Sequence, residues 1–334
     1  MATSGPTPRA PPNEYYEVRT IPDKGYGCFA LKPIKRGTRI LAEDPLLVVP
    51  IAEYLHSDIQ KAFDELSPEQ QRVYFTLHSN HGQDAKNWPG QIHESVPSLE
   101  RQRITEQHNA RVGKEPSLIS IFQTNCMEMN KGAAIFPNAA RFNHSCNPNA
   151  CFTWNEAIGK ETIHIMNDVN AGEEITLSYC DMTHEKTLRA YELKHYGFVC
   201  DCRACAGDDS ADGSFAAESA EKRFRLQELE RETRFLRGKR LEYGAKQGGF
   251  VEKLLEMAAL HQKEGDYTAR LANVFLDIAL VCELKDDIGM AARAIAKAVQ
   301  VKKDCQGPDF PDFCRYDEVL QRIAAKLAKL GAAV

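Results

Sequence analysis

Apolar and polar positions follow two different rhythms along this chain. From Tyr15 to Val49, short β-rich segments are broken by Pro22, Gly25, Gly27, Pro33, Gly37 and Pro45, and Leu46-Leu-Val-Val49 predicts a buried strand. Residues 51–115 change character. Ser67-Pro68-Glu69-Gln70 places serine as an N-cap with proline in the first helical position, which predicts an inserted, mostly helical region. Residues 117–180 return to strands and turns: Thr162-Ile-His-Ile-Met166 alternates as a half-buried strand does, and Glu174-Ile-Thr-Leu-Ser-Tyr179 follows a turn at Gly172.

After Cys205 the rhythm becomes helical. Gly207-Asp-Asp-Ser-Ala-Asp-Gly-Ser214 is small, polar and acidic, so a linker is expected over 207–218, with a helical domain over 219–334. Val251, Leu254, Leu255 and Ala258 share one face. So do Leu271, Val274, Phe275, Ile278 and Cys282, then Ile288, Ala291, Ala292, Ile295 and Val299, and finally Val319, Leu320, Ile323 and Leu327. The pair over 267–303, joined by a short Lys285-Asp-Asp turn, has the length of one tetratricopeptide-like hairpin; three clean repeats are absent, and a plain helical bundle is the alternative.

Composition narrows the class. The 334 residues, 43% hydrophobic and 27% charged, suit an ordinary globular chain with two cores. No run of 18 apolar residues predicts a membrane span, and the Pro-rich residues 1–14 lack a signal-peptide core, so a disordered tail is expected there. The 11 cysteines then imply a reducing compartment, nucleus or cytoplasm, and clustered cysteines there are metal ligands more often than disulfides. A net charge of −5 without a long basic block disfavours nucleic acid but suits a basic peptide.

Cys200-x-Cys202-x-x-Cys205 offers three closely spaced thiolates, a strong zinc signal that needs a fourth ligand. Cys146, Cys180, Cys151, Cys126 and Cys28 are the candidates, with Cys146 leading. Lys24-Gly25-Tyr26-Gly27-Cys28-Phe29-Ala30 formally matches a dinucleotide fingerprint, but Pro22, Pro33 and Gly37 leave no room for the required strand, turn and helix. Its glycines let backbone approach a ligand, or simply make a β turn. Asn143-His144-Ser145-Cys146 combines polar side chains with a thiol, and Pro148 stops a helix from running through it. His144 alone reads as a satisfied structural histidine before a catalyst, and His78-Ser-Asn-His81 reads as surface polarity. Tyr179, Tyr196 and Phe198 fit either a core or one wall of a pocket beside the metal segment.

In this order, the Lys-Gly-x-Gly segment, the helical insert, Arg141-Phe-Asn-His-Ser-Cys-Asn-Pro-Asn149, Gly172-Glu-Glu-Ile leading to Tyr179, and the cysteine-rich element resemble SET-domain protein lysine methyltransferases. The closest resemblance is to the SET and MYND subgroup or its fungal relatives without the MYND finger, over about residues 15–206. It implies an α+β fold: a β-rich SET domain over 15–206 with a helical insert at 51–115 and a post-SET zinc element at 196–206, followed by an all-α, tetratricopeptide-like region. It implies S-adenosylmethionine as cofactor, held by Lys24, Gly25, Tyr26, Gly27, Asn143, His144 and Tyr179, with Phe198 stacked on the adenine and Asn125 as a further contact. Tyr179 and Tyr196 would line a lysine channel, and structural zinc would bind Cys146, Cys200, Cys202 and Cys205. The implied partner is a protein or peptide lysine, such as a histone tail, met by a monomer. No MYND finger is present. The competing expectations are a SET-like module that binds cofactor or peptide without turnover, and a zinc scaffold without cofactor.

Overall fold

Prolines and glycines keep the early strands short, and the strands therefore assemble as several small sheets. The computed structural model describes residues 11–331 apart from 23, 89 and 208–212, so most of the expected N-terminal tail and part of the expected linker lie outside the described residues. Strands β1 (Tyr16–Ile21), β2 (Gly25–Ala30), β3 (Arg39–Glu43) and β4 (Leu47–Val49) precede helices α1 (His56–Asp64), α2 (Pro68–Tyr74), α3 (Ser98–Val112) and α4 (Leu118–Asn125). Then come β5 (Cys126–Met129), β6 (Gly132–Ile135), β7 (Ala150–Asn155), β8 (Lys160–Ile165), β9 (Glu174–Ile175) and α5 (Lys186–Leu193). Three antiparallel three-stranded sheets result, ordered β1-β2-β9, β3-β8-β7 and β4-β6-β5. Leu47 and Val49 are buried in β4, as their pattern predicts.

Ser67 caps α2 as expected: its hydroxyl accepts from the Gln70 N–H, and the Gln70 side-chain oxygen accepts from the Ser67 N–H. Helix α4 corrects the expectation of strands from residue 117 and carries the helical part of the insert beyond 115. Ser117 and Ser120 cap it reciprocally, and Ile119, Ile121 and Phe122 pack with Ile59, Phe63 and Tyr74. Serine in the third helical position hides a cap that glutamate or glutamine would advertise.

Helices α6 (Phe215–Thr233), α7 (Leu241–Ala245), α8 (Phe250–Glu264), α9 (Ala269–Leu284), α10 (Ile288–Gln306) and α11 (Phe313–Gly331) follow. The expected α9–α10 hairpin forms, turning through Asp286 at φ +59°. Leu271, Val274, Phe275 and Ile278 bury against Ile288, Ala291 and Ile295, whereas Leu255 and Leu327 are exposed. Helix α10 also covers the sheet of β7 and β8. For that reason β8 is buried on both faces, Thr162 and His164 included, instead of half-buried as its alternation suggests. Ion pairs Arg36–Asp304, Arg39–Asp309 and Arg270–Asp181 span the same junction. Among the described residues, no helix is long and apolar enough to cross a membrane.

Glu161 of β8 is fully buried opposite Glu43 of β3, and neither of its carboxyl oxygens has a hydrogen-bond partner. Burial, reinforced by the charge of Glu43, pushes its pKa up to about 9. The folded state thus holds the proton more tightly than the unfolded chain. Its contribution is complete below the unfolded carboxyl pKa of about 4.3 and falls as pH rises towards 9. Glu161→Met is expected to stabilise the protein at pH 8 by about 1–3 kcal/mol and to flatten the loss of stability between pH 5 and 9. Denaturant melts at several pH values check this; parallel pH profiles for the two proteins would contradict it.

Candidate active site and metal centre

The Gly25–Ala30 strand is paired on both edges, with β1 and β9, so no helix follows it and a dinucleotide loop is excluded. Gly25 adopts φ +79°, which favours glycine. At Gly27 the requirement is space: a Cβ would lie 2.6 Å from Glu174 Oε1 and 2.9 Å from Asn143 Nδ2. Those two side chains are joined, because Asn143 Nδ2 donates to Glu174 Oε1 at 2.8 Å and to the Tyr26 carbonyl at 2.9 Å. Residues 143–145 in turn run parallel to Leu177, through Leu177 N to Asn143 O and Ser145 N to Leu177 O. Three sequence-distant segments, 24–27, 143–146 and 174–179, therefore meet at one place.

The cysteine-rich loop closes onto the same place. The sulfurs of Cys146, Cys200, Cys202 and Cys205 all lie within 4.8 Å of one another, with Cys146 Sγ 3.9 Å from Cys200 Sγ and 3.5 Å from Cys205 Sγ. A tetrahedron with Zn–S bonds of about 2.3 Å has sulfurs about 3.8 Å apart, so the four thiols fit zinc. Among the candidate fourth ligands, the geometry selects Cys146. Cys180 lies close to His144 and Cys146 only, while Cys28, Cys126 and Cys151 belong to neither group.

The surroundings of the sulfurs support this donor set. His144 Nδ1 accepts the Tyr179 backbone N–H at 2.9 Å, which leaves the ring proton on Nε2, 3.1 Å from Cys146 Sγ. Cys146 is then a hydrogen-bond acceptor, as a metal-bound thiolate is. Arg189 Nη2 similarly donates to Cys205 Sγ at 3.4 Å. Lys24 joins loop to loop by a salt bridge to Asp201, between two of the cysteines, at 2.8 Å.

An aromatic cluster stands beside the cysteines. Ring centroids of Tyr179 and Tyr196 are 4.8 Å apart, those of His144 and Tyr179 5.3 Å, and those of His144 and Phe198 5.9 Å. Tyr179 donates its hydroxyl to the Phe142 carbonyl at 2.6 Å. Burial pushes both phenols above the usual tyrosine range, so both remain protonated at physiological pH. Phe198 is 39% exposed at the edge of this cluster.

The insert fixes Tyr196. Asn80 Nδ2 donates to the His195 carbonyl at 2.5 Å and packs against Gly197, whose φ of +77° ends the 3-10 turn Lys194–Tyr196. Ser79 and Asn80 also bond Ser120 and Thr124 of α4, so the 78–81 segment, polar and at the surface as expected with His78 exposed, ties the insert to α4 as well. Asn125 Nδ2 is committed to the carbonyls of His78 and Ile121, both at 2.7 Å, leaving only its Oδ1 for any other partner. Glu174, Asp201 and Asn80 are the parts that sequence reasoning passed over. All three lie inside segments that the sequence singles out, 172–179, 200–205 and 78–81, but nothing local marks the role of the individual side chain.

A family model for the SET domain matches residues 25–180. The histone-lysine N-methyltransferase set5 of Schizosaccharomyces pombe is 28% identical over 197 residues, 59% of this chain and 52% of that protein, so the chain spans about half of that relative's length. The N-lysine methyltransferase SMYD2-B of Danio rerio is 32% identical over 209 residues, 60% of this chain and 45% of that protein. The Rubisco LSMT structure bound to AdoMet aligns over 96% of this chain and 90% of its own at 14% identity, with a TM-score of 0.37. A putative SET domain-containing protein of Acanthamoeba polyphaga mimivirus is 30% identical over 197 residues, 57% of this chain and 76% of that protein. With that coverage, and a family match that includes Gly25–Gly27, Asn143–Cys146 and Tyr179, the chain belongs to the SET-domain family.

Proposed function

We propose that this chain is an S-adenosylmethionine-dependent protein lysine N-methyltransferase acting on a histone or another protein. One observation carries the reading: the Gly25–Gly27 backbone with Asn143, and the Tyr179, Tyr196 and Phe198 cluster, converge beside one four-thiol site. The methyltransferase names of the fission-yeast and zebrafish relatives agree with it.

S-adenosylmethionine, when bound, supplies the methyl group on a sulfonium. Lys24 to Gly27, Asn143 and His144 would hold it, with Phe198 stacked on the adenine. Zinc on Cys146, Cys200, Cys202 and Cys205 would be structural, because four thiolates leave no open position for water. Bound there, it would help hold Tyr196 and Phe198 against His144 and Tyr179.

The substrate lysine must arrive as a neutral amine. Its ordinary pKa of about 10.4 falls in an apolar channel beside a cation, so the proton can leave to water without a dedicated base. Tyr179 is itself unsuited to be that base, since burial keeps it protonated. With its hydrogen given to Phe142, its oxygen can accept from and orient the amine. Geometry preset in this way supplies acceleration by removing orientational freedom.

Gly27→Ala tests the cofactor cradle. The added methyl must displace Glu174, Ile21 and Asn143, so the Kd for S-adenosylmethionine is expected to rise tenfold or more, at least about 1.4 kcal/mol, while the fold persists. Calorimetric titration beside a thermal melt checks it; wild-type affinity in the folded variant would contradict it.

A further inference from the structure

We infer that Arg223, in the C-terminal helices, is a positioning residue that holds the zinc ligand Cys146 in place and, through it, His144 and Tyr179. The metal part of this inference stands on the cysteine geometry. The catalytic part rests on the methyltransferase reading.

Arg223 is buried on α6, 77 residues from Cys146 in sequence, and its Nη2 donates to the Cys146 carbonyl at 2.7 Å. The guanidinium is oriented by its other end, where Nε meets Glu264 Oε2 and Ser219 Oγ, each at 3.0 Å. Ser219 Oγ also donates to Glu264 Oε2 at 2.5 Å. The next residue is gripped twice more. Asn147 Nδ2 donates to the Glu264 carbonyl at 2.6 Å, and Asn147 Oδ1 accepts from Arg203 Nε at 2.7 Å. Arg203 lies between Cys202 and Cys205 in the metal loop. The Cys146–Asn147 segment is therefore held between the helical region on one side and the cysteine loop on the other.

From Cys146 the chain of contacts runs inward. His144 Nε2 meets Cys146 Sγ, and His144 Nδ1 holds the Tyr179 N–H. A shift of the Cys146 backbone moves both the thiolate and the histidine that orients Tyr179. Arg223 and Glu264 line a cavity with Cys146 and Asn147, and Glu264 Oε1 faces Lys222 Nζ at 3.8 Å, so the pair is not sealed in the apolar core. Buried ion pairs of this kind can often be replaced by neutral groups with little loss of stability. What replacement removes here is the hold on Cys146.

The test is zinc release to a chromogenic chelator from the zinc-loaded full chain. Arg223→Met combined with Glu264→Gln removes both charges together. The expected result is a melting temperature near wild type, zinc release at least tenfold faster, and a lower kcat with a smaller change in the KM for S-adenosylmethionine. Arg223→Lys keeps the charge facing Glu264 but loses the fork that reaches Cys146, so it should also speed release and serves if the double variant fails to fold. Wild-type zinc release from a folded variant of either kind would overturn the inference. Faster release in variants of a wild type that transfers no methyl group would leave the coupling standing and count against the methyltransferase reading instead.

Discussion

Cys146→Ser is expected to strip the metal and abolish activity. A serine hydroxyl is a poor zinc ligand, and three remaining thiolates lose the only donor that comes from outside the 200–205 loop. The substitution also removes the sulfur that accepts from His144 Nε2. Structural zinc sites contribute on the order of 10 kcal/mol of apparent binding free energy, most of it coupled to ordering the ligands. Segment 196–206 should then lose its hold on the rest of the domain, taking Tyr196 and Phe198 with it. Elemental analysis should fall from one zinc per chain to a small fraction, with faster proteolysis near residue 200 and methyl transfer reduced more than a hundredfold. Stoichiometric zinc in the variant, resistant to chelator, would show that Cys146 is not a ligand.

Tyr179→Phe separates chemistry from binding. The ring, and with it the contacts to Tyr196 and His144, is retained, while the oxygen that would orient the lysine amine is lost. Loss of one preorganised polar group of this kind costs about 10²–10³ in turnover. The Kd for S-adenosylmethionine should change by no more than a few-fold. The variant also leaves the Phe142 carbonyl without its partner, so a stability loss of about 1–3 kcal/mol is expected and must be measured alongside. Because the phenol stays protonated, the rise of kcat/KM with pH should persist in the variant, reporting the substrate amine. Unchanged kcat in a folded variant would remove Tyr179 from the mechanism.

What was legible in the sequence was local. Prolines and glycines marked the strand ends, Ser67 and Pro68 marked a helix start, and the spacing of Cys200, Cys202 and Cys205 pointed to a cluster that could hold a metal. The choice of Cys146 among five candidate ligands needed either a family resemblance or the fold, because 54 residues separate it from Cys200. The two-sided burial of β8 was invisible because its cover, α10, comes more than a hundred residues later. Arg223 and Asn80 act through single backbone carbonyls of distant residues, and such contacts leave no periodicity, motif or charge pattern behind. Helix α4 was missed for a nearer reason: a serine where the capping box usually carries glutamate or glutamine.

Lysine methylation itself is tested most directly by incubating the zinc-loaded chain with methyl-labelled S-adenosylmethionine and a whole-cell protein extract plus core histones, then hydrolysing the products and separating the amino acids. The expected result is label in methylated lysine, strongly reduced with Tyr179→Phe. Binding of S-adenosylmethionine with no label in lysine of any protein would contradict the enzyme and favour a SET-fold binding module.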